Sequence, residues 1–78
     1  MKKVEIYTSD TCIQCKTAKE YLKNNNIDYI EYNISSNQEY KRELIRKGYL
    51  SVPVLVIDGQ DVLGFDLPRI KQLTGIEG

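Results

Sequence analysis

Histidine and tryptophan are missing from this chain of 78 residues, and cysteine occurs only twice, at Cys12 and Cys15. With no histidine and no further cysteine, the usual four-ligand zinc site cannot be assembled within one copy. Lysine plus arginine equals aspartate plus glutamate at 11 each, so no global field draws the chain toward nucleic acid or a membrane surface. No apolar run approaches a membrane span. The start, Met1-Lys2-Lys3-Val4-Glu5, is charged and then strand-like, without the apolar stretch of a signal peptide. The expectation is a cytoplasmic protein, in a compartment that keeps thiols reduced and where cysteine pairs tend to be catalytic. Asn33-Ile34-Ser35 matches the N-glycosylation pattern, which in such a chain is incidental. Repeats, linkers and low-complexity segments are also lacking, and the length fits one small domain, 1–78, with one modest core.

What is present centres on Thr8-Ser9-Asp10-Thr11-Cys12-Ile13-Gln14-Cys15, where a strand-like run gives way to a helix-like one. A helix beginning here leaves unpaired N-H groups and the positive end of the peptide dipole beside the first sulfur, and both favour a thiolate. Cys15, one turn on, lies on the same face and within reach of a reversible disulfide. A purely structural staple is disfavoured, because closing a ring of about four residues contributes only roughly 2 kcal/mol. A C-x-x-C beside a β-α-β pattern points to redox chemistry. An unperturbed thiol is about 3% ionised at pH 7, against roughly 90% for one whose pKa is lowered to about 6. Because nucleophilicity falls with pKa, attack gains only about twofold, and the larger benefit comes when the same sulfur must leave. Cys12 is therefore read as the nucleophile and Cys15 as the resolving thiol.

Along the chain, Val4 to Thr8 alternates as a central strand. Asp10 or Thr11 is positioned to cap the first helix, which turns Cys15, Ala18, Leu22 and Tyr21 inward and ends in Asn24-Asn25-Asn26. Ile27 to Asn33 reads as the second strand, closing a right-handed parallel crossover. Ser36-Asn37-Gln38-Glu39 has capping-box spacing and opens a second helix, with Tyr40, Leu44 and Ile45 toward the core and Gly48 as its stop. Val52 to Ile57 is apolar throughout, as in a strand buried on both faces, with Pro53 at its beginning. Asp58-Gly59 marks a tight hairpin returning through Gln60 to Leu63. Asp66 then caps a last helix that carries Pro68 in its first turn and ends at Gly75.

The element order, the C-x-x-C at the first helix start, Ser51-Val52-Pro53 and Gly64-Phe65 together resemble the glutaredoxin-like branch of the thioredoxin superfamily over essentially the whole chain. The resemblance implies an α/β thioredoxin fold, β-α-β-α-β-β-α, with three helices around a four-stranded mixed sheet of order 2-1-3-4. It also implies a cis Pro53 opposite the dithiol. Proline there presents no N-H, while the Val52 backbone is able to pair with an extended substrate. Within the branch, Ile13-Gln14 is similar to the Val-Gln of NrdH-type redoxins, which take electrons from thioredoxin reductase and feed ribonucleotide reductase. Phe65 after Gly64 agrees, whereas Val62 stands where those redoxins place tryptophan. Glutathione-using glutaredoxins carry Pro-Tyr between the cysteines, a lysine three residues before the first, and Gly-Gly followed by Asp. Here those positions read Ile13-Gln14, Ser9 and Leu63-Gly64, with Asp66 retained. Asp10 adds repulsion toward anionic glutathione, and Lys16, Lys47 and Arg69 are the cations available to compensate.

The function implied is that of a dithiol-disulfide oxidoreductase with Cys12 and Cys15 catalytic and Ile13, Gln14, Val52, Pro53, Gly64, Phe65 and Asp66 around the substrate. Phe65, exposed by its turn, is the candidate partner contact, while Tyr7, Tyr21, Tyr29, Tyr32 and Tyr40 are read as packing. No metal or tightly bound cofactor is expected, and glutathione is a candidate co-substrate. The expected partners of this monomer are thioredoxin reductase or glutathione as donor, and a disulfide-containing client such as ribonucleotide reductase or a peroxidase. Alternatives are a glutathione-dependent deglutathionylating glutaredoxin and a dimeric iron-sulfur cluster carrier.

Overall fold

The computed structural model describes residues 3–75. Four strands, β1 (Val4–Thr8), β2 (Ile30–Asn33), β3 (Val54–Ile57) and β4 (Gln60–Leu63), and three helices, α1 (Ile13–Asn24), α2 (Gln38–Arg46) and α3 (Leu67–Thr74), follow in the order β1-α1-β2-α2-β3-β4-α3. The sheet order is β2-β1-β3-β4. Only β1 and β2 run parallel; β3 is antiparallel to β1 and to β4. The chain therefore has the expected thioredoxin fold, and β1 holds a central position from which its C-terminal end delivers the cysteine loop.

Alternation along β1 assigns side chains to the two faces of the sheet. Val4 and Ile6 join Leu55, Ile57 and Val62 beneath α1 and α3, which contribute Ala18, Leu22 and Ile70. Tyr7 lies on the opposite face with Val54, Val56 and Leu44 of α2. All four residues of β3 are buried, which explains their unbroken apolar character. On the α2 side, Tyr32 lies between Tyr7 and Tyr40 with the rings tilted, each pair of centroids 5.0 Å apart. The Tyr32 hydroxyl donates to Glu5 at 2.8 Å. That bond, followed by burial, pushes the Tyr32 phenol up to about 12.

Local expectations fail at four places. Strand β2 begins at Ile30, not Ile27, because the chain is still leaving the helix: the Ile27 amide closes onto the Leu22 carbonyl at 2.9 Å, and the register with β1 starts at Glu5 opposite Ile30. Pairing in β3 starts at Val54, one residue after Pro53, which has no amide to donate. Asn37 caps α2 by accepting from the Glu39 amide at 2.9 Å, while the Ser36 hydroxyl donates to the Asn33 carbonyl instead. Ile45 is half exposed, at 49%. A helix of nine residues against one sheet face buries a narrow stripe, here Leu44 with Tyr40 half-buried.

The Asp58-Gly59 hairpin forms as read, both residues with positive φ (51° and 84°), the combination a type I′ turn requires. Asp66 Oδ1 accepts from the Arg69 amide at 3.4 Å to cap α3, and Gly75 ends that helix in the left-handed region.

Candidate active site

Neither Asp10 nor Thr11 caps α1. Cys12 does, with extended backbone angles of −93° and 107° and its Sγ accepting from the Cys15 amide at 3.0 Å. The acceptor at the positive end of the helix is thus the sulfur itself, and the first turn contains no acidic residue to compete for that position. Cys12 and Cys15 are joined as a disulfide with their Cα atoms 5.2 Å apart. Their exposures differ: Cys12 is half-buried, while Cys15, on the core-facing side of α1, is only 1% exposed.

Beside Cys12 lies an open groove of about 380 Å³. Of the residues expected around the substrate, only Ile13 joins Cys12 in lining it; the remaining walls are Ser9, Asp10, Thr11, Lys16, Lys19 and Asn33. Ser9, Asp10 and Lys16 were weighed from sequence only for their bearing on glutathione, and Lys19 and Asn33 were not assigned to the site, because these two join it only when β2 ends beside the cysteine loop. Asn33 carried one legible signal. Asn33-Ile34-Ser35-Ser36, an Asn with two serines close behind it at a strand end, is turn chemistry, and the Asn33 side-chain oxygen accepts from the Ser35 and Ser36 amides at 2.8 and 3.2 Å.

The charges of the groove are unevenly engaged. Lys19 Nζ contacts Glu31 Oε2 at 2.9 Å, and the same oxygen accepts from the fully buried Thr8 hydroxyl at 2.7 Å. Burial works to raise the Glu31 pKa, but the bonds from Thr8 and Lys19, with the charges of Lys19 and Lys23, hold it below the ordinary value. Asp10 Oδ1 accepts from Asn33 Nδ2 at 2.8 Å. The Lys16 side chain forms no hydrogen bond or salt bridge among the described residues.

Of the other expected residues, the structure joins Pro53 to Gly64. The Val52–Pro53 peptide is cis, Pro53 is buried, and its carbonyl accepts from the Gly64 amide at 2.8 Å. Gly64 has φ of 73°, a conformation that favours glycine, so the turn after β4 is pinned to the proline loop. Val52 packs on the α2-side core. Phe65 is not exposed by its turn: it is half-buried, edge-on to Tyr21 with ring centroids 5.9 Å apart, because its ring completes the α1–α3 core. Gln14 and Asp66 are exposed, and Ile13 is 82% exposed.

Both the sequence and the fold of this chain match known proteins. The glutaredoxin family model matches residues 4–62. This chain is a member of the glutaredoxin family. It is 39% identical over 67 residues to glutaredoxin 3 of Escherichia coli, covering 85% of this chain and 81% of the relative. To the glutaredoxin-like protein NrdH of Lactococcus lactis it is 32% identical over 71 residues, 91% of this chain and 99% of the relative. Among solved structures, a mutant of the thioredoxin-like protein BC3987 superimposes with a TM-score of 0.91 at 37% identity, over 99% of this chain and all of that one. Family membership and the C-x-x-C pair make the glutaredoxin-like chain a thiol-disulfide oxidoreductase. Among the described residues, no cluster of three or more acidic, cysteine or histidine side chains is arranged to hold a metal ion, and no helix is long and apolar enough to cross a membrane.

Proposed function

We propose that this redoxin reduces client disulfides with Cys12 as nucleophile and Cys15 as resolving thiol, and that thioredoxin reductase returns it to the dithiol. The observation that carries the assignment of roles is the difference in access: Cys12 meets the groove at the helix cap, whereas Cys15 is 1% exposed beneath it. The Cys12 thiolate attacks one sulfur of the client disulfide, forming the mixed disulfide and expelling one client thiolate. Cys15, deprotonated, then attacks Cys12 Sγ, expelling the second client thiolate and leaving the Cys12–Cys15 disulfide. Two electrons pass to the client. The Cys15 amide that donates to Cys12 Sγ stabilises that sulfur as the free thiolate that attacks the client. Val52, Pro53, Gly64 and Asp66 serve as the second wall for the client backbone, with Ile13 and Gln14 at its mouth.

The choice of donor rests on charge. Glutathione is an anion, and Ser9 stands where glutathione-using relatives place a lysine. In the groove, Lys19 is engaged by Glu31, and Asp10 is a carboxylate. A disulfide-containing protein such as ribonucleotide reductase or a peroxidase is the client of this reading. One observation favours the second reading, a glutathione-dependent glutaredoxin: the Lys16 side chain, in the same groove, has no ion-pair partner among the described residues. Reduction of the oxidised protein by NADPH with thioredoxin reductase, beside NADPH with glutathione reductase and glutathione, decides between them. A faster rate with thioredoxin reductase is expected; a faster rate with glutathione overturns the donor assignment in favour of the second reading.

A further inference from the structure

The loop that carries Cys12 has little holding it from within. Its one internal backbone bond, Cys12 amide to Ser9 carbonyl, is long at 3.4 Å, and Asp10 and Thr11 are exposed. Among the described residues, the hydrogen bonds tying residues 9–11 to another part of the fold end on Asn33 and Ser35. Asn33 Nδ2 donates to Asp10 Oδ1 at 2.8 Å, and the Asp10 amide donates to Ser35 Oγ at 3.1 Å. Asn33 is itself fixed, since its Oδ1 accepts from the Ser35 and Ser36 amides and the next residue's amide, Ile34, donates to the Thr8 carbonyl at 2.8 Å. The end of β2 therefore holds the cysteine loop from outside, through a side chain two residues before the nucleophile.

We infer that Asn33, acting through Asp10, is a positioning residue: the clamp keeps Cys12 at the cap of α1, where its sulfur meets the Cys15 amide. This rests on the assignment of Cys12 as nucleophile. The physical argument is one of geometry. A hydrogen bond to sulfur weakens steeply with misalignment, and a thiolate loses the stabilisation of the helix end once it moves beyond the first turn. Releasing the loop leaves the charged groups of the groove, Asp10, Lys16 and Lys19, chemically in place, so the effect of the clamp is separable from theirs.

The test is the pH profile of alkylation of the reduced protein by iodoacetamide, with the labelled cysteine located by mass spectrometry. Asn33→Ala removes the clamp and keeps the Asp10 charge. Its alkylation midpoint is expected to rise by at least about half a pH unit, which lowers the rate about threefold below both midpoints and leaves it unaltered at high pH. Asp10→Asn keeps an acceptor for Asn33 while losing the charge, and Asp10→Ala loses both, so the midpoint of Asp10→Ala should lie above that of Asp10→Asn. A folded Asn33→Ala protein with the wild-type midpoint, even one with a lowered Tm, overturns the inference. If Asn33→Ala does not fold, equal midpoints for the two Asp10 variants overturn it instead. Labelling of Cys15 rather than Cys12 in the wild type overturns the nucleophile assignment along with the inference.

Discussion

The amide of Cys15 donates to the sulfur of Cys12 at 3.0 Å, so one residue of the redox pair supplies the N-cap of α1 and the other supplies the hydrogen that the cap satisfies. Stability and chemistry thus share a single contact.

A cap contact of this kind has a measurable cost when lost. Under reducing conditions Cys12→Ala should destabilise the protein by about 1 kcal/mol, while Cys12→Ser, which keeps an acceptor oxygen, should lose less. Urea denaturation of the reduced proteins measures the difference. Equal losses for the two variants would show that the sulfur contributes no capping.

Glu31 ties β2 to β1 and α1 through Thr8 and Lys19. Its carboxyl is held below the ordinary value of 4.5, so the folded state binds this proton more weakly than the unfolded chain does. The stability from this group is present above the ordinary glutamate range and is lost as pH falls from there through the lower folded value. Asp61 is lowered as well, first by its bond from Tyr49 and then by Lys47 against opposing burial, and it contributes a slope of the same sign. Comparing wild type with Glu31→Gln isolates the Glu31 part: the variant should be less stable at pH 7, with the gap narrowing below about pH 4.5. A gap independent of pH would contradict the linkage.

Packing separates two apolar residues that the sequence pattern treats alike. Leu22 is fully buried between α1 and the sheet, and Leu22→Ala should cost about 2–5 kcal/mol. Ile45, at 49% exposure, should change stability by no more than about 0.5 kcal/mol when truncated to alanine. Thermal denaturation of both variants checks the contrast, and a large loss at Ile45 would place it back on the core face.

Elements whose signals are local were legible in the sequence. Asp58-Gly59 needs only its own φ angles to specify the hairpin, and the unbroken run Val54 to Ile57 follows from burial on both faces. Strand order and the cis proline were legible through the family resemblance, since neither follows from short-range pattern. The groove residues were less so. Lys19 and Asn33 look like solvated polar positions until the parallel pairing of Thr8 with Asn33 sets the end of β2 beside the cysteine loop. Cys12 was missed as a cap because sulfur is not among the usual capping side chains, and Asp10, the better capping residue, is turned away to Asn33. Phe65 illustrates the converse error: a turn position suggested exposure, and contact with Tyr21 across the α1–α3 core takes its ring inward.

The most direct test of the dithiol mechanism is to react Cys15→Ser and Cys12→Ser, each reduced, with a disulfide-bonded client and to map the adducts by mass spectrometry. Cys15→Ser should accumulate a stable mixed disulfide on Cys12, because nothing resolves it, and Cys12→Ser should neither form an adduct nor turn over. Turnover by Cys12→Ser at the wild-type rate would contradict the account.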